Sequence, residues 1–143
     1  MMIGLPGSGK TTWLRKQNLV AISSDEIRHL LTGDATNQKV NVQTFFLVRM
    51  ILRLRLRSGQ PETYIDATNL TKKERQQYIR IARKFNAEVE ALWFDVPLEI
   101  CKQRNQLRER VVPDEAMDYL AGRFEKPEQE EGLSKIIQVF DPA

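Results

Sequence analysis

A chain of 143 residues, 41% of them hydrophobic, is long enough for one domain with a buried core. Its net charge of +3 favours anionic partners mildly but falls short of a dedicated nucleic-acid-binding tail. One cysteine and one histidine exclude an intramolecular disulfide and a Cys/His metal cluster, and no apolar run is long enough to span a membrane, so we expect a cytoplasmic protein without a membrane partner.

The first motif in the chain is a glycine-rich phosphate loop. The stretch Gly4-Leu5-Pro6-Gly7-Ser8-Gly9-Lys10-Thr11 fits the pattern Gly, four residues, Gly, Lys and Ser or Thr. We expect the loop N–H groups and the Lys10 ammonium to bind the phosphates of a nucleoside triphosphate, and the Thr11 hydroxyl to ligate Mg²⁺. A Gly-rich turn without a nucleotide is the alternative. The predicted nucleotide-binding residues of this motif are Gly4, Pro6, Gly7, Ser8, Gly9, Lys10, Thr11 and Thr12.

Short apolar runs and helical patterns alternate along the chain. Strands are predicted at 1–3, 19–23, 63–66, 89–94 and 136–140, and helices at 10–17, 24–31, 72–85, 97–107 and 114–124. An arginine-rich segment without Gly or Pro runs from 40 to 58. This alternation predicts an α/β fold with a mostly parallel sheet and helices on both faces, in a single domain at 1–143. Together with the phosphate loop, it fits a three-layer sandwich of the P-loop NTPase type. Because so few residues precede Gly4, we expect a chain trimmed or excised from a larger protein.

Acidic residues follow three of the predicted strands, at the sheet edge where functional groups of parallel sheets gather. Asp25 lies in the first turn of a helix, and Arg28 follows three residues later on the same face. A carboxylate that takes a proton and a cation that holds an anionic acceptor suit phosphoryl transfer to a hydroxyl. The alternative is an acid that is favourable to the helix dipole and pairs with the arginine three positions on. Asp66 either supports Mg²⁺ or forms a turn with Asn69. Asp95 has no role beyond a strand-end turn.

Two groups of arginines are further candidates. Arg104 and Arg108 lie four residues apart near a predicted helix end, with Arg110 just beyond. Phosphoryl transfer commonly uses an arginine over the β- and γ-phosphates, and a solvated basic helix end is the alternative. The second group forms a stripe at spacings of four that suits either a phosphate backbone or a solvated helix face. It comprises Arg49, Arg53 and Arg57.

Several of these stretches jointly resemble the kinase domain of the 5′-hydroxyl polynucleotide kinase family. The phosphate loop alone is shared with many nucleotide-binding proteins, whereas its combination with the Asp25/Arg28 pair and the two arginines is more selective. The matching stretches cover most of the chain in the family's order. They are Gly4 to Trp13, Ser24-Asp25-Glu26-Ile27-Arg28, Ile65-Asp66-Ala67-Thr68-Asn69-Leu70, Phe94-Asp95-Val96-Pro97, and Arg104-Asn105 with Arg108 and Val112-Pro113.

The resemblance implies a kinase that transfers the γ-phosphate of ATP, or of another NTP, to the 5′-hydroxyl end of DNA or RNA. On the acceptor side, Asp25 would be the general base and Arg28 would contact the phosphate of the acceptor. Asp66, Thr68 and Asn69 would line the acceptor or metal side of the same site.

On the donor side, the resemblance implies that Lys10 and Thr11 bind the NTP phosphates and Mg²⁺. Arg104 and Arg108 would come from a short helical lid at about 104–113 and cover the donor phosphates, with Lys10 and Arg108 stabilising the transferring group. Two alternatives remain open. One is a kinase of a small metabolite or sugar nucleotide, and the other is a nucleotide-dependent ATPase switch that acts on a protein partner.

Overall fold

Strands and helices alternate through residues 1–140, the part of the chain that this computed structural model describes. The strands are β1 Met2–Ile3, β2 Ala21–Ser23, β3 Tyr64–Asp66, β4 Glu90–Phe94 and β5 Lys135–Val139. The helices are α1 Lys10–Lys16, α2 Ser24–Thr32, α3 Asn41–Arg57, α4 Lys72–Lys84, α5 Leu98–Gln106 and α6 Asp114–Gly122, with single 3₁₀ turns at Gln38–Val40 and Gln129–Glu131. Among these helices, none combines the length and the apolar character needed to cross a lipid bilayer.

The strands form two parallel ladders that meet at a seam. One ladder has the order β1-β4-β5 and the other pairs β2 with β3. At the seam, the Gly4 N–H donates to the Thr68 carbonyl at 3.0 Å, and the Asn69 amide donates to the Met2 carbonyl at 2.7 Å. The spatial order is therefore β2-β3-β1-β4-β5, with the strand that enters the phosphate loop at the centre.

Both faces of the sheet are covered, which confirms the predicted three-layer α/β fold. Side chains of successive strand residues point to opposite faces, so each strand contributes to two cores. Ile3 packs in the cluster that contains Val48 of α3 and Ile79 of α4. Met2 packs on the other face with Leu14 of α1. Near-continuous apolar strands are what a sheet buried on both faces requires.

The observed element bounds differ from the predicted ones by a few residues. β5 begins at Lys135 rather than at 136, because Lys135 pairs in register with Glu90 of β4 although it is not apolar. α6 ends at Gly122 rather than near 124, and the N–H of Arg123 caps the last turn. The predicted cap of α4 is confirmed, since Thr71 and Glu74 exchange hydrogen bonds of 3.2 Å.

A buried ion pair fixes the loop that follows β3. Arg75 of α4 donates through Nε and Nη2 to the two carboxylate oxygens of Glu131, both at 2.8 Å. Its Nη1 donates to the carbonyls of Asn69 and Leu70 at 3.0 Å. The Arg75 side chain is fully buried, so these bonds replace the water that its charge has lost. The pair thus holds the segment directly after Asp66.

Candidate nucleotide and acceptor site

The phosphate loop connects β1 to α1 and lies against α5. Gly7 has a φ of 81°, and a Cβ atom at this position would come within 2.4 Å of the Cys101 carbonyl. Only glycine fits both the left-handed backbone and this close approach. Gly9, with a φ of 94°, caps α1, so the helix begins directly at Lys10. The first N–H groups of α1 are thereby directed to the loop, which suits an anion.

The ammonium group of Lys10 is folded onto its own loop. Nζ donates to the carbonyls of Gly4 and Leu5, each at 2.8 Å, and lies 3.4 Å from the Ser8 hydroxyl oxygen. Burial lowers the pKa of Lys10 to about 8. Phosphate oxygens are stronger partners than loop carbonyls for a charged ammonium, so Lys10 is able to exchange these bonds for a bound polyphosphate.

Three other predicted site residues surround Lys10 closely enough for their charges to act on its pKa. After burial, which lowers it, the largest influence is the carboxylate of Asp66, which raises it. Arg108 lowers the pKa of Lys10 and Asp25 raises it. The structure therefore brings together groups that are up to 98 residues apart in the sequence, at the carboxyl edge of the sheet.

The hydroxyl of Thr11 and the carboxylate of Asp66 are in direct contact. Thr11 Oγ1 donates to Asp66 Oδ2 at 2.9 Å, which joins the loop after β1 to the end of β3. Hydroxyl and carboxylate oxygens are the ligands that Mg²⁺ accepts in proteins, directly or through water. These two residues and the nearby Lys10 therefore fit a Mg²⁺–triphosphate. Of the two roles predicted for Asp66, this position favours the metal side.

The Asp25/Arg28 pair predicted from the sequence is present at the start of α2. Arg28 Nη1 donates to Asp25 Oδ1 at 2.9 Å. The Asp25 side chain is 54% exposed, whereas the Arg28 side chain is 8% exposed. An exposed carboxylate next to a buried, fixed cation is able to meet a hydroxyl that arrives from solvent.

Two residues of α3 that the sequence analysis did not identify hold Arg28 in place. The side chain of Asn41 accepts a hydrogen bond from Arg28 Nε at 2.9 Å. The ring of Phe45 lies under the guanidinium, with its centre 5.6 Å from Cζ. No local pattern pointed to them, because they belong to a different helix and become neighbours of Arg28 only when α3 packs on α2.

The predicted lid at 104–113 consists of the last turn of α5 and an irregular segment that leads to α6. Buried Asn105 holds the two ends of that segment together. Its amide donates to the Val112 carbonyl at 2.6 Å and accepts from the Val112 N–H at 3.1 Å. Arg108 lies exposed between these points, and Arg104 is half-buried on α5. Asn105 is thus a positioning residue for Arg108.

The remaining predicted residues lie at the margin of the site. Thr68 and Asn69 provide the seam between the two ladders, and the Asn69 side chain is buried and used by the Met2 carbonyl. The structure does not bring that amide to the open site. Asp95 is exposed and accepts a hydrogen bond from Gln138 at 2.6 Å, which fits the strand-end role.

Comparison with known proteins places this chain within a family. A family model described as AAA domain matches residues 1–127, which include every predicted site residue. L-seryl-tRNA(Sec) kinase from Mus musculus is 35% identical over 68 residues, which is 45% of this chain and 19% of that protein. The chain thus spans about a fifth of the length of this curated relative. These matches support a P-loop phosphotransferase of the kinase type.

Proposed function

The chain belongs to the AAA domain family, and from this membership and the geometry of its site we propose that it is a 5′-hydroxyl polynucleotide kinase. It transfers the γ-phosphate of ATP, or of another NTP, to the 5′-hydroxyl end of DNA or RNA. The donor is bound at the phosphate loop, and the acceptor enters beside α2.

One observation carries this proposal. An exposed carboxylate, Asp25, lies near enough to the phosphate-loop lysine to act on its pKa and is ion-paired to the buried Arg28 at 2.9 Å. A switch that only binds or hydrolyses a nucleotide does not need an anion clamp beside its carboxylate. A kinase with an anionic acceptor needs both groups.

In the proposed reaction, the 5′-hydroxyl oxygen attacks the γ-phosphorus in line with the bond to the β-phosphate. Asp25 accepts the hydroxyl proton as the new O–P bond forms. The bond between the γ-phosphorus and the β,γ-bridging oxygen breaks, and the nucleoside diphosphate leaves with the electron pair. Arg28 keeps the phosphate of the acceptor in place, so that the hydroxyl is held near Asp25.

Donor-side residues stabilise the charge that develops on the transferring group. Lys10 and Arg108 supply cations at the β- and γ-phosphates. Thr11 and Asp66 would hold Mg²⁺, which neutralises phosphate charge when bound. Asn105 fixes the ends of the segment that carries Arg108 and thereby limits how far this arginine moves.

A second acceptor follows from the relative rather than from the geometry. L-seryl-tRNA(Sec) kinase is, by its name, a kinase of a hydroxyl carried on a tRNA. An RNA-linked hydroxyl would reach Asp25 and Arg28 in the same way. We therefore propose an acceptor hydroxyl attached to a polynucleotide, with the 5′ end as the preferred case and an aminoacyl group as the second.

The test is a transfer assay with γ-labelled ATP, Mg²⁺ and single-stranded oligonucleotides that end in a 5′-hydroxyl. The same oligonucleotides with a 5′-phosphate are the matched control. We expect label on the 5′-hydroxyl oligonucleotides alone. Seryl-tRNA is offered in a parallel reaction. Label on seryl-tRNA, with none on either oligonucleotide, would select the second acceptor.

Two further results would replace the proposal. Label on nucleosides or sugar nucleotides, with none on oligonucleotides, would identify a small-molecule kinase. ATP binding or hydrolysis without transfer to any hydroxyl, unchanged in Asp25→Ala, would identify a nucleotide-dependent switch.

A further inference from the structure

A strongly basic groove lies between α3 and α4, outside the phosphate loop and the Asp25/Arg28 pair. Its volume is about 310 Å³. Of the side chains that line it, the four that carry charge are all cationic. The lining residues are Arg49, Arg53, Gln77, Arg80, Ile81 and Lys84.

The positive charge of this groove is not neutralised by the protein. Arg49 Nη1 donates to the neutral amide oxygen of Gln77 at 2.7 Å. Within residues 1–140, no acidic side chain forms an ion pair with Arg53, Arg80 or Lys84. Cations of like charge that share a groove repel one another, so an anion placed between them is favourable.

A ridge of α3 side chains leads from the Asp25/Arg28 pair to this groove. Asn41, Phe45, Arg49 and Arg53 follow one another at intervals of four residues and therefore form a ridge that turns by about 40° around the helix at each step. Asn41 and Phe45, at the start of the ridge, both contact Arg28. At a rise of about 1.5 Å per residue, Arg49 lies about 12 Å and Arg53 about 18 Å beyond Asn41 along the helix axis.

We propose that this groove binds the internal phosphates of the polynucleotide acceptor, on the 3′ side of the nucleotide whose hydroxyl is phosphorylated. This inference rests on the proposed function, because it extends the acceptor path that begins at Asp25 and Arg28. The planar guanidinium groups of Arg49, Arg53 and Arg80 match phosphate oxygens in a bidentate manner. Lys84 adds a fourth cation at the α4 side of the groove.

The distances along α3 predict how long the acceptor must be. With about 3.4 Å per nucleotide in a stacked strand, 12 to 18 Å correspond to about four to five nucleotides. We therefore expect KM to fall as the acceptor grows from a dinucleotide to a hexanucleotide and to change little for a dodecanucleotide. A kinase without this groove would treat all three acceptors alike.

The experiment compares an Arg53→Gln/Arg80→Gln variant with a Lys16→Gln/Lys135→Gln control, which removes the same charge from exposed positions on α1 and β5. KM and kcat are measured for the three acceptors at several salt concentrations. For the groove variant we expect KM to rise about tenfold on hexanucleotides and longer acceptors, with the smallest change on the dinucleotide. The slope of log KM against log salt should decrease in magnitude by about 1.4 for the two lost contacts. The control should match the wild type.

Equal losses on the dinucleotide and the dodecanucleotide, or no loss on the dodecanucleotide, would overturn the proposed groove. A binding measurement without ATP separates this outcome from a failure of the proposed function. Fluorescence anisotropy of a labelled hexanucleotide that weakens in the groove variant supports the groove even if no 5′ end is phosphorylated. A labelled oligoglutamate of equal charge that binds as tightly, and weakens equally, would assign the groove to an acidic protein partner instead.

Discussion

The hydroxyl of Thr11 and the carboxylate of Asp66, separated by 55 residues in the sequence, are joined by a hydrogen bond of 2.9 Å. Thr11 lies in the first turn of α1, directly after the phosphate loop, and Asp66 is the last residue of β3. Their contact places a carboxylate beside the hydroxyl that is expected to face Mg²⁺. Because both residues lie at the donor side, this part of the site can be tested without the acceptor.

Replacing Asp66 by Asn should therefore weaken nucleotide binding only when Mg²⁺ is present. The substitution keeps the size of the side chain but removes the negative charge that supports the metal. We expect the affinity for Mg²⁺·ATP to fall by about 10- to 100-fold, whereas the affinity for ATP in EDTA should not fall, because the lost carboxylate repels metal-free phosphates; titration calorimetry measures both. Thr11→Ser, which keeps the hydroxyl, is the matched control. A similar loss in EDTA would show that Asp66 shapes the loop.

The Asp25→Asn variant tests the general base. Because the Asp25 side chain is more than half exposed and Asn keeps an oxygen that accepts the hydrogen bond from Arg28 Nη1, the replacement should leave the fold intact. We expect kcat to fall by about 10²- to 10⁴-fold while the affinity for ATP is retained. Glu26→Gln, exposed in the same turn of α2, should retain activity. Loss of ATP affinity together with transfer would indicate a structural role for Asp25.

The two arginines of the irregular lid segment provide a matched pair. Arg108 lowers the pKa of Lys10, whereas Arg110 lowers the pKa of Asp34, which lies outside the predicted site. Arg108→Gln should lower kcat by about 10³-fold or more, since it removes a cation from the transferring phosphate, and Arg110→Gln should have little effect. Steady-state transfer rates at saturating ATP give the comparison. Equal effects would mean that only the total charge of the lid matters.

The lowered pKa of Lys10 predicts a pH dependence of ATP binding. In the free protein this pKa is about 8, so Lys10 is charged below that value and loses its proton above it. A bound polyphosphate requires the charged form. We expect the affinity for ATP to fall by up to about tenfold per pH unit above pH 8, with proton uptake on binding.

Calorimetry in buffers of different ionisation enthalpy measures this uptake directly. Lys10→Met should bind weakly, with no pH dependence above pH 8. The lowered pKa of Lys10 also predicts how the stability of the fold changes with pH. Because the folded pKa lies below the unfolded value of 10.5, the free energy of unfolding of the ligand-free protein should increase between about pH 8 and 10.5. An ATP affinity that stays constant above pH 8 would contradict the proposed role of Lys10 in binding the phosphates.

The buried ion pair between Arg75 and Glu131 should dominate the stability of the loop after β3. Glu131→Gln leaves the guanidinium of Arg75 buried with its charge uncompensated, and we expect a loss of about 3–5 kcal/mol in the free energy of unfolding. Lys72→Gln breaks the exposed pair with Glu128 and should cost about 1 kcal/mol or less. Urea unfolding of both variants gives the values. Similar losses would show that burial of the pair is unimportant.

Local signals explain what could be predicted from the sequence. The loop glycines, the cap at Thr71 and the acidic residues at three strand ends depend on neighbours within a few positions. The strand ends then fall at one edge, because all the strand pairs are parallel. This is why Lys10, Asp25 and Asp66 were identified together without a structure.

Contacts between distant elements could not be predicted in this way. The packing of α3 on α2 decides that Asn41 and Phe45 hold Arg28. Similarly, the inward direction of the Asn69 side chain depends on the open carbonyl of Met2 across the seam, 67 residues away. An Asn after a strand looks the same in the sequence whether it faces a ligand or the protein.

The seam between β3 and β1 joins the two parallel ladders, so the bonds that cross it hold the whole sheet together. Thr11 follows the β1 side of the seam, Asp66 ends the β3 side, and two hydrogen bonds at Gly4 and Asn69 join the edges between them. In the free protein the direct hydrogen bond between Thr11 and Asp66 is a third link across the seam, and a metal–triphosphate complex held by these two residues would take its place. At a ligand concentration of about 100 times Kd, such binding adds about 2.7 kcal/mol to the folded state. The bound substrate would thus stabilise the junction between the two parallel ladders.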